Sequence, residues 1–161
     1  MKGSEKAGAH CAYERALLLL TRRDHGVAEL KRKLVDKGFP EKDSDEAIER
    51  LLRQDLLDDV RFAGKLVDAS IRNGRGVGSK LFSDLIRKGI SSDIARHVVE
   101  EAASRTPEDE TLALILSKRF AAFDPISASQ KEKQRVFGYL QRRGFSLSSI
   151  INFFRNQERG V

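Results

Sequence analysis

Catalysis at neutral pH needs a nucleophile, a tuned acid or base, or a metal shell. The residues that could supply one in this 161-residue chain are His10, His25, His97, Cys11 and the adjacent pair Asp58 and Asp59. They form no constellation. His10 and Cys11 are neighbours near the start, and His97 follows Arg96 on a helical pattern. Asp58 and Asp59, being consecutive, point in different directions and are better placed to cap a helix than to share a proton. Gly74, Gly76 and Gly78, in Asn-Gly-Arg-Gly-Val-Gly-Ser-Lys, invite a phosphate-loop reading with Lys80 nearby. The spacing matches neither nucleotide-binding glycine motif and no strand precedes it, so a flexible turn is expected, with an anion contact as the alternative. The sequence therefore predicts no enzyme, no metal and no cofactor.

Binding is the chemistry that remains. Lys and Arg total 30 against 24 Asp and Glu, a formal charge of +6. The excess lies late: residues 10–56 balance, 57–105 carry +2 and 106–161 carry +3. Arg22, Arg23, Arg72, Arg75, Lys80, Arg87, Lys88, Arg142 and Arg143 are the candidate contacts for phosphates or an acidic protein surface. Aromatic residues to stack on single strands are sparse, since most of the nine phenylalanines fall on core positions.

The elements that must carry these residues are helices. Apolar residues recur at helical spacing in three trios: Ala12 to Leu20, Val27 to Leu34 and Ala47 to Leu52; then Phe62 to Val67, Leu81 to Ile86 and Ile94 to Ala102; then Leu112 to Phe120, Val136 to Leu140 and Ile150 to Phe154. No stretch alternates like a strand. Asp58 and Asp59 mark one helix start, Thr106 as N-cap with Pro107 at the first helical position marks another, and Asp124 to Ser127 breaks the chain. Residues 1–9 are expected as a flexible tail. Cys11 is the only cysteine, so no internal disulfide can form, and the longest aliphatic run, Ala16 to Leu20, is far too short to span a bilayer. These features predict a soluble chain in a reducing cytoplasm.

One punctuation occurs three times: Leu34-Val35-Asp36-Lys37-Gly38-Phe39, Leu85-Ile86-Arg87-Lys88-Gly89-Ile90 and Leu140-Gln141-Arg142-Arg143-Gly144-Phe145. The glycines stand 51 and 55 residues apart, and apolar residues agree at four, eight, nine and ten positions around them. Glycine just past a helix end takes the left-handed conformation that closes the helix, and the next apolar residue packs back on the last turn. The basic residue before each glycine complements the negative helix end before it serves any partner. The chain is thus expected to be all-α, with three-helix repeats at 10–56, 57–105 and 106–158 stacked into an elongated array that can curve.

Together these residues resemble the RecX family of bacterial recombination regulators, from about Tyr13 to Arg155. Leu57-Asp58-Asp59-Val60-Arg61-Phe62 looks like the family's Leu-Asp-Asp-x-Arg-Phe signature, followed by Arg72, a glycine-rich turn and Arg87-Lys88-Gly89-Ile90. Arg22-Arg23-Asp24-His25 looks like its opening turn, and Arg142-Arg143-Gly144-Phe145 resembles its final unit. The chain departs from the family pattern at Gly26, where serine is frequent, and at Gly76-Val77-Gly78-Ser79, where Gly-x-Gly-Pro is usual. The resemblance implies a monomeric cytoplasmic modulator that lodges on the filament of RecA recombinase and single-stranded DNA. It would suppress filament growth, ATP hydrolysis and strand exchange, with DNA phosphates as secondary contacts. The alternative is a stand-alone DNA-binding module with helix-turn-helix-like units.

Overall fold

The computed structural model describes residues 2–159. Among the described residues there are nine α-helices and no strand: α1 (Lys2–Leu20), α2 (Val27–Val35), α3 (Glu41–Arg53), α4 (Asp59–Arg72), α5 (Gly78–Arg87), α6 (Ser92–Arg105), α7 (Glu108–Arg119), α8 (Gln130–Arg142) and α9 (Leu147–Arg159). The all-α class and the order of three trios are as the periodicity predicts. Two starts differ. Helix α1 opens at Lys2, so residues 2–9, expected as a loose tail, are helical; that stretch has no proline and includes Glu5, Lys6, Ala7 and Ala9, all tolerant of a helix. Helix α7 opens one residue late. Pro107, not Thr106, is its N-cap, and Thr106 instead closes the end of α6, its N–H donating to the Ala102 carbonyl at 3.0 Å.

Each repeated glycine has positive φ: 89° at Gly38, 83° at Gly89 and 97° at Gly144. The hydrogen bonds are the same each time. Phe39, Ile90 and Phe145 donate to the carbonyls of Leu34, Leu85 and Leu140 at 3.2, 3.2 and 3.3 Å, and the glycines donate to Val35, Ile86 and Gln141 at 2.8, 2.9 and 2.9 Å. This is the Schellman closure. It occurs twice more, with Gly74 (φ 60°) closing α4 and Asp55 (φ 54°) closing α3.

The chain forms two compact units, one of residues 1–64 with 85–95, the other of 65–84 with 96–161. The middle trio is divided between them. In the first unit Ala12, Tyr13, Ala16, Leu30, Leu34, Ala47, Ile48 and Leu51 make a core from α1, α2 and α3, joined by Leu57 from the turn before α4. In the second, Leu112, Ile115, Val136, Leu140, Phe145, Ile150, Phe153 and Phe154 make a core that also takes in Val77 from the glycine-rich turn. Full burial of a Leu or Ile side chain contributes about 1.5–3 kcal/mol, so these stripes, rather than helix propensity, hold each unit together.

Candidate functional site

Each unit contains one junction of the same design, in which the glycine turn of a later trio seats on the start of the second helix of the preceding trio. In the first unit Gly89 meets Ala28 so closely that a Cβ on the glycine would lie 2.6 Å from the alanine Cβ. In the second unit the turn at Gly144 meets the start of α5. Val77 N–H donates to the Arg143 carbonyl at 2.8 Å, and a Cβ on Gly144 would collide with the Val77 carbonyl oxygen. The glycine-rich turn is therefore anchored rather than loose. Its Val77 amide is occupied by protein, Gly74 serves as a helix cap, and Lys80 Nζ pairs with Asp84 at 2.5 Å.

The signature carboxylates build the first junction. Asp58 caps its own helix by accepting from Arg61 N–H at 3.0 Å. Asp59 turns away to another helix, accepting from Val27 N–H at 2.8 Å. Helix α2 has Gly26 at its N-cap and no cap from its own side chains, and Asp59 supplies across space an acceptor for the first of its otherwise unpaired amides. A Cβ at Gly26 would stand 3.1 Å from Asp59 Oδ1 and 3.2 Å from the Phe62 ring, which ties the glycine to the third and last residues of the signature. Burial pushes the Asp59 carboxyl above its usual range against the pull of the Val27 amide, and neighbouring Asp58 adds to the rise. Arg61 donates to the Asp55 carbonyl at 3.1 Å, closing the end of α3.

The opening turn is equally structural. Arg23 forks onto Glu29, and His25, buried, has Nδ1 3.2 Å from Glu29 Oε2 without the alignment of a hydrogen bond. Burial lowers the His25 pKa, the Arg23 charge lowers it further, and Glu29 only partly opposes them. Burial alone would raise Glu29, but the Arg23 hydrogen bond and the charges of His25 and Arg23 outweigh it and hold the carboxyl below its usual range. His10 lies exposed, 3.3 Å from Glu14, and His97 and Cys11 are exposed. No group of three or more His, Cys, Asp or Glu able to hold a metal occurs among the described residues.

The nine basic candidates divide between the units. Arg22, Arg23, Arg87 and Lys88 belong to the first, and Arg72, Arg75, Lys80, Arg142 and Arg143 to the second. In each, the basic pair before the glycine is carried to the helix start that the earlier basic residues precede. Arg22, Arg23, Arg72, Arg75, Arg87, Lys88 and Arg142 are exposed. Arg143 is half-buried and held by its own protein, donating to the Arg75 carbonyl at 2.8 Å and to the Tyr139 hydroxyl at 3.0 Å. The sequence reading names Arg142 but misses its neighbours: Lys118, Arg119, Phe120, Arg135 and Tyr139 line one recess of the second unit with it. The signal was available in Arg135, Tyr139 and Arg142, spaced four and three apart on one face of α8.

Comparison with known proteins bears on this architecture. The model of "RecX, first three-helix domain" matches residues 12–51, and that of "RecX, third three-helix domain" matches 107–153. The Regulatory protein RecX of Trichlorobacter lovleyi is 38% identical over 88% of this chain and 92% of its own length. The chain belongs to the RecX family. The RecX protein of Syntrophotalea carbinolica is 33% identical over 91% of this chain and 95% of its own length. The crystal structure of RecX from Lactobacillus salivarius superimposes with a TM-score of 0.78 at 22% identity, covering 95% of this chain and 98% of that one, which shows a shared fold. No helix among the described residues is long and apolar enough to cross a membrane.

Proposed function

We propose that this chain is a non-catalytic, cytoplasmic regulator of RecA recombinase. It acts as a monomer on the RecA filament assembled on single-stranded DNA, where it suppresses filament growth, ATP hydrolysis and strand exchange. The observation that carries this reading is the likeness along nearly nine-tenths of the chain to proteins named Regulatory protein RecX. The three repeats, 10–56, 57–105 and 106–158, are the working units. Their paired junctions offer basic residues at two places, and Arg22, Arg87, Lys88, Arg72, Arg75 and Arg142, all exposed, contact the filament, with DNA phosphates secondary to protein. Arg23, Lys80 and Arg143 support these contacts from their internal partners.

The test is direct. Purified protein is added at micromolar concentration to RecA filaments on single-stranded DNA, and ATP hydrolysis and strand exchange are followed. Both should fall. Unchanged rates sink the reading, and tight, sequence-dependent binding of duplex DNA without RecA would favour the stand-alone DNA-binding module instead.

A further inference from the structure

The recess in the second unit is built from the end of α7 and one face of α8, and its six lining residues, Lys118, Arg119, Phe120, Arg135, Tyr139 and Arg142, include four cations and no acid. Its two rings meet edge to face with centroids 5.2 Å apart. They carry the guanidiniums. Arg119 Cζ lies 5.3 Å and Arg143 Cζ 4.9 Å from the Tyr139 centroid, and Arg135 Cζ lies 5.9 Å from the Phe120 centroid. A guanidinium laid on a ring loses side-chain freedom but keeps its N–H edge available, which is the geometry that takes two oxygens of one phosphate.

Helix-end electrostatics accounts for part of this cluster. Lys118 and Arg119 sit in the last turn of α7 and Arg142 in the last turn of α8, where cations offset the helix dipole. Arg135, two turns earlier, has no such reason to be there. Its charge helps lower the Glu132 carboxyl, but that carboxylate is bound chiefly by Ser129, whose hydroxyl at 2.7 Å and amide at 2.9 Å donate to it in the capping box that starts α8. Four like charges around one recess repel one another until an anion joins them.

We infer that this recess is a binding site for the phosphodiester backbone of single-stranded nucleic acid, with Arg119 and Arg135 as the phosphate forks and Phe120 and Tyr139 as the platform that holds them. An open recess of about 440 Å³ admits a phosphate with its sugar while the strand runs on at either side. A strand offers a phosphate at every nucleotide and needs no sequence selection, whereas an acidic protein segment must place separate carboxylates in register with the forks. The inference rests on the proposed function only in choosing nucleic acid as the anion.

The experiment measures binding of a fluorescent oligothymidylate by anisotropy across a salt series. The double variant Arg119→Gln/Arg135→Gln should bind about tenfold more weakly at low salt, and its slope of log affinity against log salt should fall by about 1.4, two phosphates at about 0.7 each. A control of equal charge change, Lys37→Gln/Arg96→Gln, should stay within about twofold. An equal loss in the control, or none in the recess variant, overturns the site. So does displacement of the oligonucleotide by ATP or inorganic phosphate at equal phosphate concentration, or equal affinity for polyglutamate. Amide chemical shifts of the wild-type protein, titrated with the same oligonucleotide, provide a readout independent of variant folding. They should move at the end of α7 and along α8, and movement confined elsewhere overturns the site. The RecA assay is scored separately: wild-type protein that binds oligonucleotide through the recess yet leaves RecA unchanged sinks the proposed function and not this inference.

Discussion

The two junctions use one motif on opposite materials. At Gly89 the glycine turn presses on a side chain, the Ala28 methyl, whereas at Gly144 it presses on backbone, the Val77 carbonyl and the Lys80 amide. A methyl can be removed or can yield by a few tenths of an ångström. A carbonyl at the start of α5 cannot move without shifting Val77, which is buried in the core of its unit. The first glycine turn, at Gly38, has φ 89° and nothing within 4 Å of a Cβ position. Sequence repetition thus marks where a helix closes, and the surroundings decide what that closure costs to disturb.

The largest effect should follow Gly144→Ala. The left-handed conformation costs about 1–2 kcal/mol with a Cβ present, and forcing a methyl into backbone adds about 1–3 kcal/mol as an overpacked site. A loss of about 3 kcal/mol or more by denaturant unfolding is expected. A loss no greater than that of Gly38→Ala would break the comparison. Gly89→Ala should come second, at about 2 kcal/mol. Its sharper form is the pair Gly89→Ala with Ala28→Gly: removing the opposing methyl should recover part of the loss, a positive coupling of about 1 kcal/mol in a double-mutant cycle. Simple additivity would show that the methyl contact is not the cause. Gly38→Ala should cost only the backbone strain, about 1 kcal/mol.

Asp59 distinguishes the junctions in another way. Asp59→Ala removes the acceptor for the first amide of α2 and should cost about 1 kcal/mol, the usual worth of an N-cap. Asp59→Asn keeps an acceptor oxygen and relieves a buried charge that burial already disfavours, so it should cost less than alanine. Equal losses in thermal melts would show that the charge, rather than the hydrogen bond, holds the helix end.

The glycine closures were legible because they depend on six consecutive residues, and periodicity was enough for the nine helices. The seats of those closures were not. That Gly89 meets Ala28, 61 positions away, and Gly144 meets Val77, 67 away, is decided by packing. Asp58 looked like a cap and is one, whereas Asp59 beside it caps a helix 32 residues earlier, a role that no local rule assigns. Gly74 hid among three glycines whose shared spacing suggested a loop, while its own bonds to α4 are those of a helix terminus. The basic recess was obscured because Arg135 reads as one of a run with Lys131 and Lys133, although on the helix it faces Tyr139 and Arg142.

The smallest expected effect separates the junctions by pH. His25 stands thirteen residues before Gly38, and the position thirteen before Gly89 is Gly76, so a buried titratable ring belongs to the first junction alone. Burial and the Arg23 charge lower the pKa of His25 in the folded chain from its ordinary 6.5, so the unfolded chain takes up the proton first as pH falls. Stability linked to this group is therefore fully present above the ordinary value. It declines as pH drops below about 6.5, and it levels off once the folded form is protonated too. Unfolding free energy followed from neutral pH down to the top of the carboxylate range should show that decline in the wild type. In His25→Gln, which cannot titrate, the slope from this group should vanish while Gly144→Ala retains it. Identical slopes in wild type and His25→Gln would mean that Glu29 and solvent hold the ring as favourably charged as neutral, and that the first junction is as indifferent to pH as the second.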